Sequence, residues 1–213
     1  NEYGKNEMWY VVDSEPGSYL YCGLSRDASK EEILERINNN TITDILNKIE
    51  VKAGDVVMVK AGTIHAIGAG VFICEIQQNS NCTYRMYDYD RRDKFGNPRE
   101  LHVKKALDVV DNHKYIKDNK TEVVIARNEH FTEERLVQCK YFEVYKYDVN
   151  DEAKITVDEA SFVSVLFING SGTIETDDYE KTMEFKAGDS FFVSAGLRSI
   201  IIKGQATMVV TRV

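Results

Sequence analysis

A chain of 213 residues, 43% hydrophobic and 29% charged, has the material for one large or two small globular domains. Its formal net charge of −8 leaves no basic excess for nucleic-acid phosphates, while a local Arg/Lys pair still suits a small anionic substrate. No apolar run reaches transmembrane length, the polar opening Asn-Glu-Tyr-Gly-Lys is no signal peptide, and Cys22, Cys74, Cys82 and Cys139 lack C-x-x-C spacing; they read as free thiols of a cytoplasmic protein, with two disulfides the open alternative.

Residues 8–13 and 18–24 are rich in aromatic and β-branched side chains and predict strands joined by the Pro16-Gly17 turn. Ser29-Lys-Glu-Glu32 is a capping box, followed by the helical stripe Ile33, Leu34 and Ile37, and Asn38-Asn-Asn40 ends that helix. Ile45, Leu46 and Ile49 predict a second short helix over 43–49. Strands follow at 55–60, 71–77 and 82–89. Residues 90–98 form a polar loop, and Pro98 suits the first turn of a helix with the face Leu101, Ala106, Leu107 and Val110. Residues 111–120 are the best linker. Short strands then follow at 122–126, 134–139, 141–148, 162–168, 172–176, 190–194, 198–203 and 206–212, with a hairpin at Asn169-Gly170 and Ser171-Gly172. The expectation is a mainly β protein with a few short helices, built as two jelly-roll units.

A repeat supports that division. Residues 51–67 return at 185–201, agreeing at Lys, Ala, Gly, Asp, Val, Ala, Gly and the final Ile. In each copy Ala-Gly-Asp is a tight turn, an apolar strand follows, and Ala-Gly turns the chain again. The copies differ at one informative place: His65 in the first falls opposite Ser199 in the second, so only the first keeps a metal-capable imidazole.

His65 needs partners. In the strand that follows, Val71, Ile73, Glu75 and Gln77 share a face, which is unusual unless that face lines a polar cavity. If 82–89 pairs with this strand, Arg85 joins Glu75 and Gln77. The plainer alternatives are a cross-strand ion pair for Glu75 and Arg85 and a solvated turn for Gln77-Gln78. Lys5 and Glu7, two apart before the first strand, present to one side but read alone as surface charge. His102, His113 and His130 read as non-catalytic.

Gly4-Lys5-Asn6-Glu7-Met8-Trp9-Tyr10, Ala61-Gly62-Thr63-Ile64-His65-Ala66-Ile67-Gly68 and Glu75 through Arg91, in this order and spacing, closely resemble the bacterial type I mannose-6-phosphate isomerase family. The resemblance runs the length of the chain. It implies a cupin fold with one zinc ion per intact chain, Glu7 and His65 as metal ligands, Arg85 as a catalytic residue, and Lys5 and Glu75 lining the pocket. It also implies a metal-bearing unit over 1–115, incomplete at its N-terminus, and a metal-free cupin unit over 116–213. The family's Gln-x-His-Pro motif, which supplies two further ligands, has no match here, so the sequence reads as a C-terminal portion of the family's chain.

The reaction implied interconverts mannose 6-phosphate and fructose 6-phosphate through an enediol, with zinc as Lewis acid, Glu75 as proton carrier and Arg85 and Lys5 as fixed cations. The alternative from another class is a non-catalytic sugar-phosphate-binding or regulatory cupin. An iron cupin fits less well, because such sites use two histidines with a carboxylate.

Overall fold

A computed structural model describes residues 4–117, 123–176 and 179–213. The chain divides into two compact units, Asn1–Lys117 and Asp118–Val213. Strand dominates both, and no helix of the described residues is long and apolar enough to cross a membrane.

In the first unit, β1 (Glu7–Ser14), β4 (Val56–Val59) and β6 (Val71–Gln77) form one sheet in the order β4-β1-β6. Strands β2 (Tyr19–Leu24), β3 (Leu46–Glu50) and β5 (His65–Ile67) form a second, in the order β3-β2-β5. Alternation decides which side chains go inward: Trp9, Val11, Val57 and Val59 from the first sheet meet Leu20 and Cys22 from the second in one buried cluster. A second cluster packs helix α1 (Lys30–Asn38) and helix α2 (Val103–Val109) with Leu24, Ile42, Ile45, Leu46 and Met86.

The capping box works as the sequence predicts: the Ser29 hydroxyl accepts from Glu32 N at 3.1 Å, and Ile33 and Ile37 are buried, while Leu34 is exposed. Other segments differ from the sequence reading. The short helix expected over 43–49 is a 3₁₀ turn at Ile42–Ile45 followed by β3, because β2 offers a pairing edge and Ile49 falls opposite Leu20. Such short apolar runs carry no decisive period of their own.

Residues 82–89 form no strand. Their backbone is held by the start of α2: His102 N donates to Arg85 O at 2.6 Å, and Arg85 N donates to His102 Nδ1 at 3.3 Å. Helix α2 itself starts at Val103, and Pro98 lies outside it in a bridge with Arg92. The expected linker is tied down over its first part: Asp111 N donates to Gly62 O at 2.9 Å and Tyr115 N to Leu24 O at 2.8 Å. Residues 118–120 of that linker lie outside the described residues.

Among the described residues the second unit is an eight-stranded sheet. Its path runs through β12 (Tyr179–Lys186), β11 (Val163–Thr176), β14 (Arg198–Arg212), β9 (Glu143–Val149), β8 (Phe131–Gln138) and β7 (Val123–Arg127). Strand β10 (Glu152–Val157) adds to β14, and β13 (Ser190–Val193) adds to β11. Phe167, Ile155, Ile174, Ile200, Ile202 and Met208 fill its core. The hairpin expected at 169–172 is absent. Residues 163–176 run as one strand that kinks at a bulge between Phe167 and Asn169, and 198–212 likewise run as one strand. Gly170 and Gly204, both at positive φ, bend these strands instead of ending them.

At the edge of this unit His130 Nδ1 sits 2.9 Å from Asp151 Oδ1. The Asp151 hydrogen bond raises the imidazole above its ordinary value, and His130 holds the Asp151 carboxyl below its own. The histidine's contribution is therefore complete below the unfolded value of about 6.5 and is lost as pH rises through the higher folded value. Asp151 contributes above its unfolded value of about 3.9, and that part is lost as pH falls through the lower folded value. In an NMR titration, Asp151→Asn is expected to lower the His130 midpoint toward the ordinary imidazole value. A midpoint that does not move would show that Asp151 is not the cause.

Candidate metal centre

Glu7 opens β1 on the inward face of its sheet and is 1% exposed. An isolated carboxylate there would cost several kcal/mol, so its neighbours decide whether it stays charged. Lys5 Nζ lies 2.9 Å from Glu7 Oε1 and donates to Gln77 Oε1 at 2.6 Å. His65 Nε2 lies 3.7 Å from Glu7 Oε2. Glu75, opposite Trp9 on the neighbouring strand, shares a hydrogen bond with Glu7. Burial pushes the Glu7 carboxyl up, but the Glu75 and Lys5 hydrogen bonds and the His65 and Lys5 charges outweigh it and hold the group below the usual carboxylate range. Glu75 moves the other way, raised by burial and by Glu7, with Trp9 and Lys5 offsetting part of this. The pair thus sorts into a carboxylate, Glu7, and a more readily protonated Glu75.

His65 is delivered by a built turn. Thr63 N donates to Lys60 O at 3.0 Å, and Gly62 takes φ +88. A Cβ on Gly62 would come within 2.7 Å of Val109 O, so the backbone approach at the end of α2 requires glycine. Asp111 N and Gly23 N then bond Gly62 O and Ile64 O. The imidazole stands edge-on to Trp9, with ring centroids 5.4 Å apart. Its Nδ1 lies 2.8 Å from Thr63 O. A carbonyl only accepts, so Nδ1 carries a hydrogen, and Nε2, on the Glu7 side, is the ring atom placed to bind a metal.

This pair fits a zinc ion. Two donors each about 2.0–2.1 Å from tetrahedral zinc lie roughly 3.3 Å apart, close to the Oε2···Nε2 separation of 3.7 Å. A buried carboxylate and an oriented imidazole nitrogen are the ligand types zinc takes. Among the described residues no group of three or more His, Cys, Asp or Glu side chains forms a complete site.

The structure brings Lys5, Glu7, His65 and Glu75 together. Arg85 is not bonded to them: it is in no strand beside β6, and among the described residues its guanidinium makes no hydrogen bond or ion pair. Gln77 and Gln78, for which the sequence makes a solvated turn the plainer alternative to a place beside Glu75, bond Lys5 and Asn6. Only the pairing of β1 with β6, which puts Gln77 opposite Glu7, reveals that, and no periodicity along the sequence encodes it.

The second copy of the repeat builds the same corner. Lys186 N donates to Asp189 Oδ2 at 2.9 Å as Lys52 N does to Asp55 Oδ2 at 2.9 Å. Gly188 N donates to Phe167 O at 2.8 Å as Gly54 N does to Val11 O at 2.8 Å. The strand registers then match position to position. Glu7 pairs with Val59 where Val163 pairs with Val193, and Trp9 faces Glu75 where Val165 faces Val210. His65 pairs with Cys22 where Ser199 pairs with Thr156. The positions of Glu7, Glu75 and His65 are thus taken by Val163, Val210 and Ser199, all buried.

Two β units built on one repeated corner, with a carboxylate–imidazole pair at that corner in the first unit and Val163 and Ser199 at the matching places in the second, define a two-unit cupin with one candidate metal centre among the described residues. The family description "mannose-6-phosphate isomerase, cupin domain" matches residues 132–213. The chain is 33% identical over 220 residues to the mannose-6-phosphate isomerase ManA of Bacillus subtilis, an alignment covering 99% of this chain and 65% of ManA. It superposes on the crystal structure of the Bacillus subtilis mannose 6-phosphate isomerase with TM-score 0.89 and 36% identity, over 100% of this chain and 66% of that one. A zinc-bound mannose 6-phosphate isomerase shares the fold at TM-score 0.68 and 12% identity, over 97% of this chain and 65% of that one. The chain is thus similar to mannose-6-phosphate isomerases along its whole length. It spans 65% of the length of its curated relative ManA.

Proposed function

We propose that this chain carries the metal-bearing part of an aldose–ketose isomerase that interconverts mannose 6-phosphate and fructose 6-phosphate. The observation that carries this reading is the Glu7–His65 pair, 3.7 Å apart, in the unit where the repeat keeps its histidine. Zinc, one per intact protein, would be held by Glu7 and His65 together with the ligands of the family's Gln-x-His-Pro motif, which this sequence does not include. When bound, it would supply Lewis-acid polarisation of sugar oxygens.

The chain's own side chains have the remaining tasks. The reaction moves a proton between adjacent carbons through an enediol. Glu75, on the exposed edge of the sheet beside Glu7, takes the proton from one carbon and returns it to the next. Lys5 keeps Glu7 ionised and faces developing negative charge, and Arg85, whose guanidinium has no protein partner among the described residues, suits the other anionic end of a sugar phosphate. Trp9 covers one edge of the imidazole and limits its movement.

The direct test follows fructose 6-phosphate formation from mannose 6-phosphate by the protein carrying this chain. Turnover is expected, with loss on chelation and recovery on adding zinc. Turnover indifferent to chelator would overturn the metal assignment. Calorimetric binding of mannose 6-phosphate without turnover, in zinc-replete protein, would overturn the enzyme assignment in favour of a binding cupin.

A further inference from the structure

Asn6 lies between Lys5 and Glu7, and each of its polar atoms has a partner. Its backbone N and its Nδ2 donate to Gln78 Oε1 at 2.9 and 2.7 Å. Its backbone O accepts from Gln78 N at 3.1 Å. Its Oδ1 accepts from Ala61 N at 3.2 Å. Gln78 follows the last strand pair, Glu7 with Gln77: its backbone N continues the β1·β6 ladder by one bond to Asn6 O, and its side-chain Oε1 takes the return bond from Asn6 N. Ala61 begins the turn that continues through Gly62 and Thr63 to His65. The two side chains therefore join three segments: the strand end bearing Glu7, the end of β6 behind Glu75 and Gln77, and the turn that delivers His65.

We infer that Asn6 and Gln78 are positioning residues that fix the spacing of Glu7 and His65 for a metal ion. The inference rests on the reading of that pair as metal donors. Both side chains are partly buried, and among the described residues neither hydrogen-bonds the imidazole or the Glu7 carboxyl, so their effect passes through backbone placement. Without the clamp, Ala61 N loses its side-chain acceptor and the turn loses its link to β1. Thr63 O, which holds His65 Nδ1, sits two residues further along that turn. Partners of this kind around a metal ligand typically change affinity by about 10–100-fold.

The test compares Asn6→Leu, Gln78→Leu and Gln78→Glu with the parent protein. Zinc affinity is measured by competition with a chromophoric chelator, and the His65 tautomer by ¹⁵N imidazole shifts in the metal-free protein. Asn6→Leu and Gln78→Leu are expected to lower zinc affinity about 10-fold or more and to mix the His65 tautomers, with the circular dichroism spectrum unchanged. Gln78→Glu keeps an acceptor oxygen for both Asn6 donors and is expected to retain parental affinity and tautomer. Parental zinc affinity and a single tautomer in both leucine variants would overturn the inference. A His65→Ala control separates this from failure of the underlying reading: if that variant also binds zinc like the parent, the donor assignment itself is wrong.

Discussion

Replacing His65 with alanine is expected to abolish tight zinc binding and to lower kcat/KM for mannose 6-phosphate by about a thousandfold or more, since Lewis-acid polarisation supplies several kcal/mol of transition-state stabilisation. The same change should leave the fold intact. His65 lies in a three-residue strand with a third of its side chain exposed, and Glu7 keeps its Lys5 and Glu75 partners. Losing one exposed-edge ring contact with Trp9 costs about 1 kcal/mol. Ser199→Ala is the matched control, because it alters the equivalent corner of the second unit, where Val163 and Val210 replace the carboxylates. It is expected to leave zinc affinity and turnover at parental values. Zinc titration with turnover of both variants decides the matter: a fully active His65→Ala protein would show that this imidazole is no ligand.

The largest stability effect is expected at Gly170. This residue sits at φ +89 inside β11, and a Cβ there would lie 1.9 Å from Gln205 O and 2.8 Å from Ala206 Cα on β14. An L side chain pays roughly 1–2 kcal/mol for the left-handed backbone alone. The overlap with a neighbouring strand's backbone adds the cost of parting a pair whose register runs from Ser164 to Thr176. Gly170→Ala is therefore expected to destabilise the second unit by about 3 kcal/mol or more. Gly188, also at φ +89, has open space where its Cβ would stand. Gly188→Ala is expected to cost only the conformational part, about 1 kcal/mol. Urea unfolding of the two variants separates the contributions. Equal losses at the two sites would mean that β14 yields freely and that close approach is not what demands glycine at Gly170.

The sequence by itself carried the repeat, the predominance of strand and the capping of α1, because each is written in local chemistry. Ala-Gly-Asp demands a turn wherever it occurs, and a Ser-x-x-Glu pattern satisfies orphan N–H groups without help from elsewhere. The unpaired histidine of the repeat was legible for the same reason. Long-range pairing was not. The segment at 46–50 became strand because β2 offered an edge, and 82–89 formed no strand, the backbone N and O of Arg85 at its centre being bonded to His102. The glycines at 170 and 204 became bends within long strands, not ends, because β11 and β14 pair along most of their length.

At the site, sequence supplied the candidate donors Glu7 and His65, and the tertiary structure decided what surrounds them. Residues 58 positions apart meet only when two strands and a turn fold over each other. Only that meeting gives Glu7 a lysine, an imidazole and a second carboxyl as neighbours, and so keeps a buried carboxylate ionised. The clamp of Asn6 and Gln78 belongs to the same class: two ordinary amides whose importance comes from register, which hydrogen bonding between distant strands sets and local composition does not.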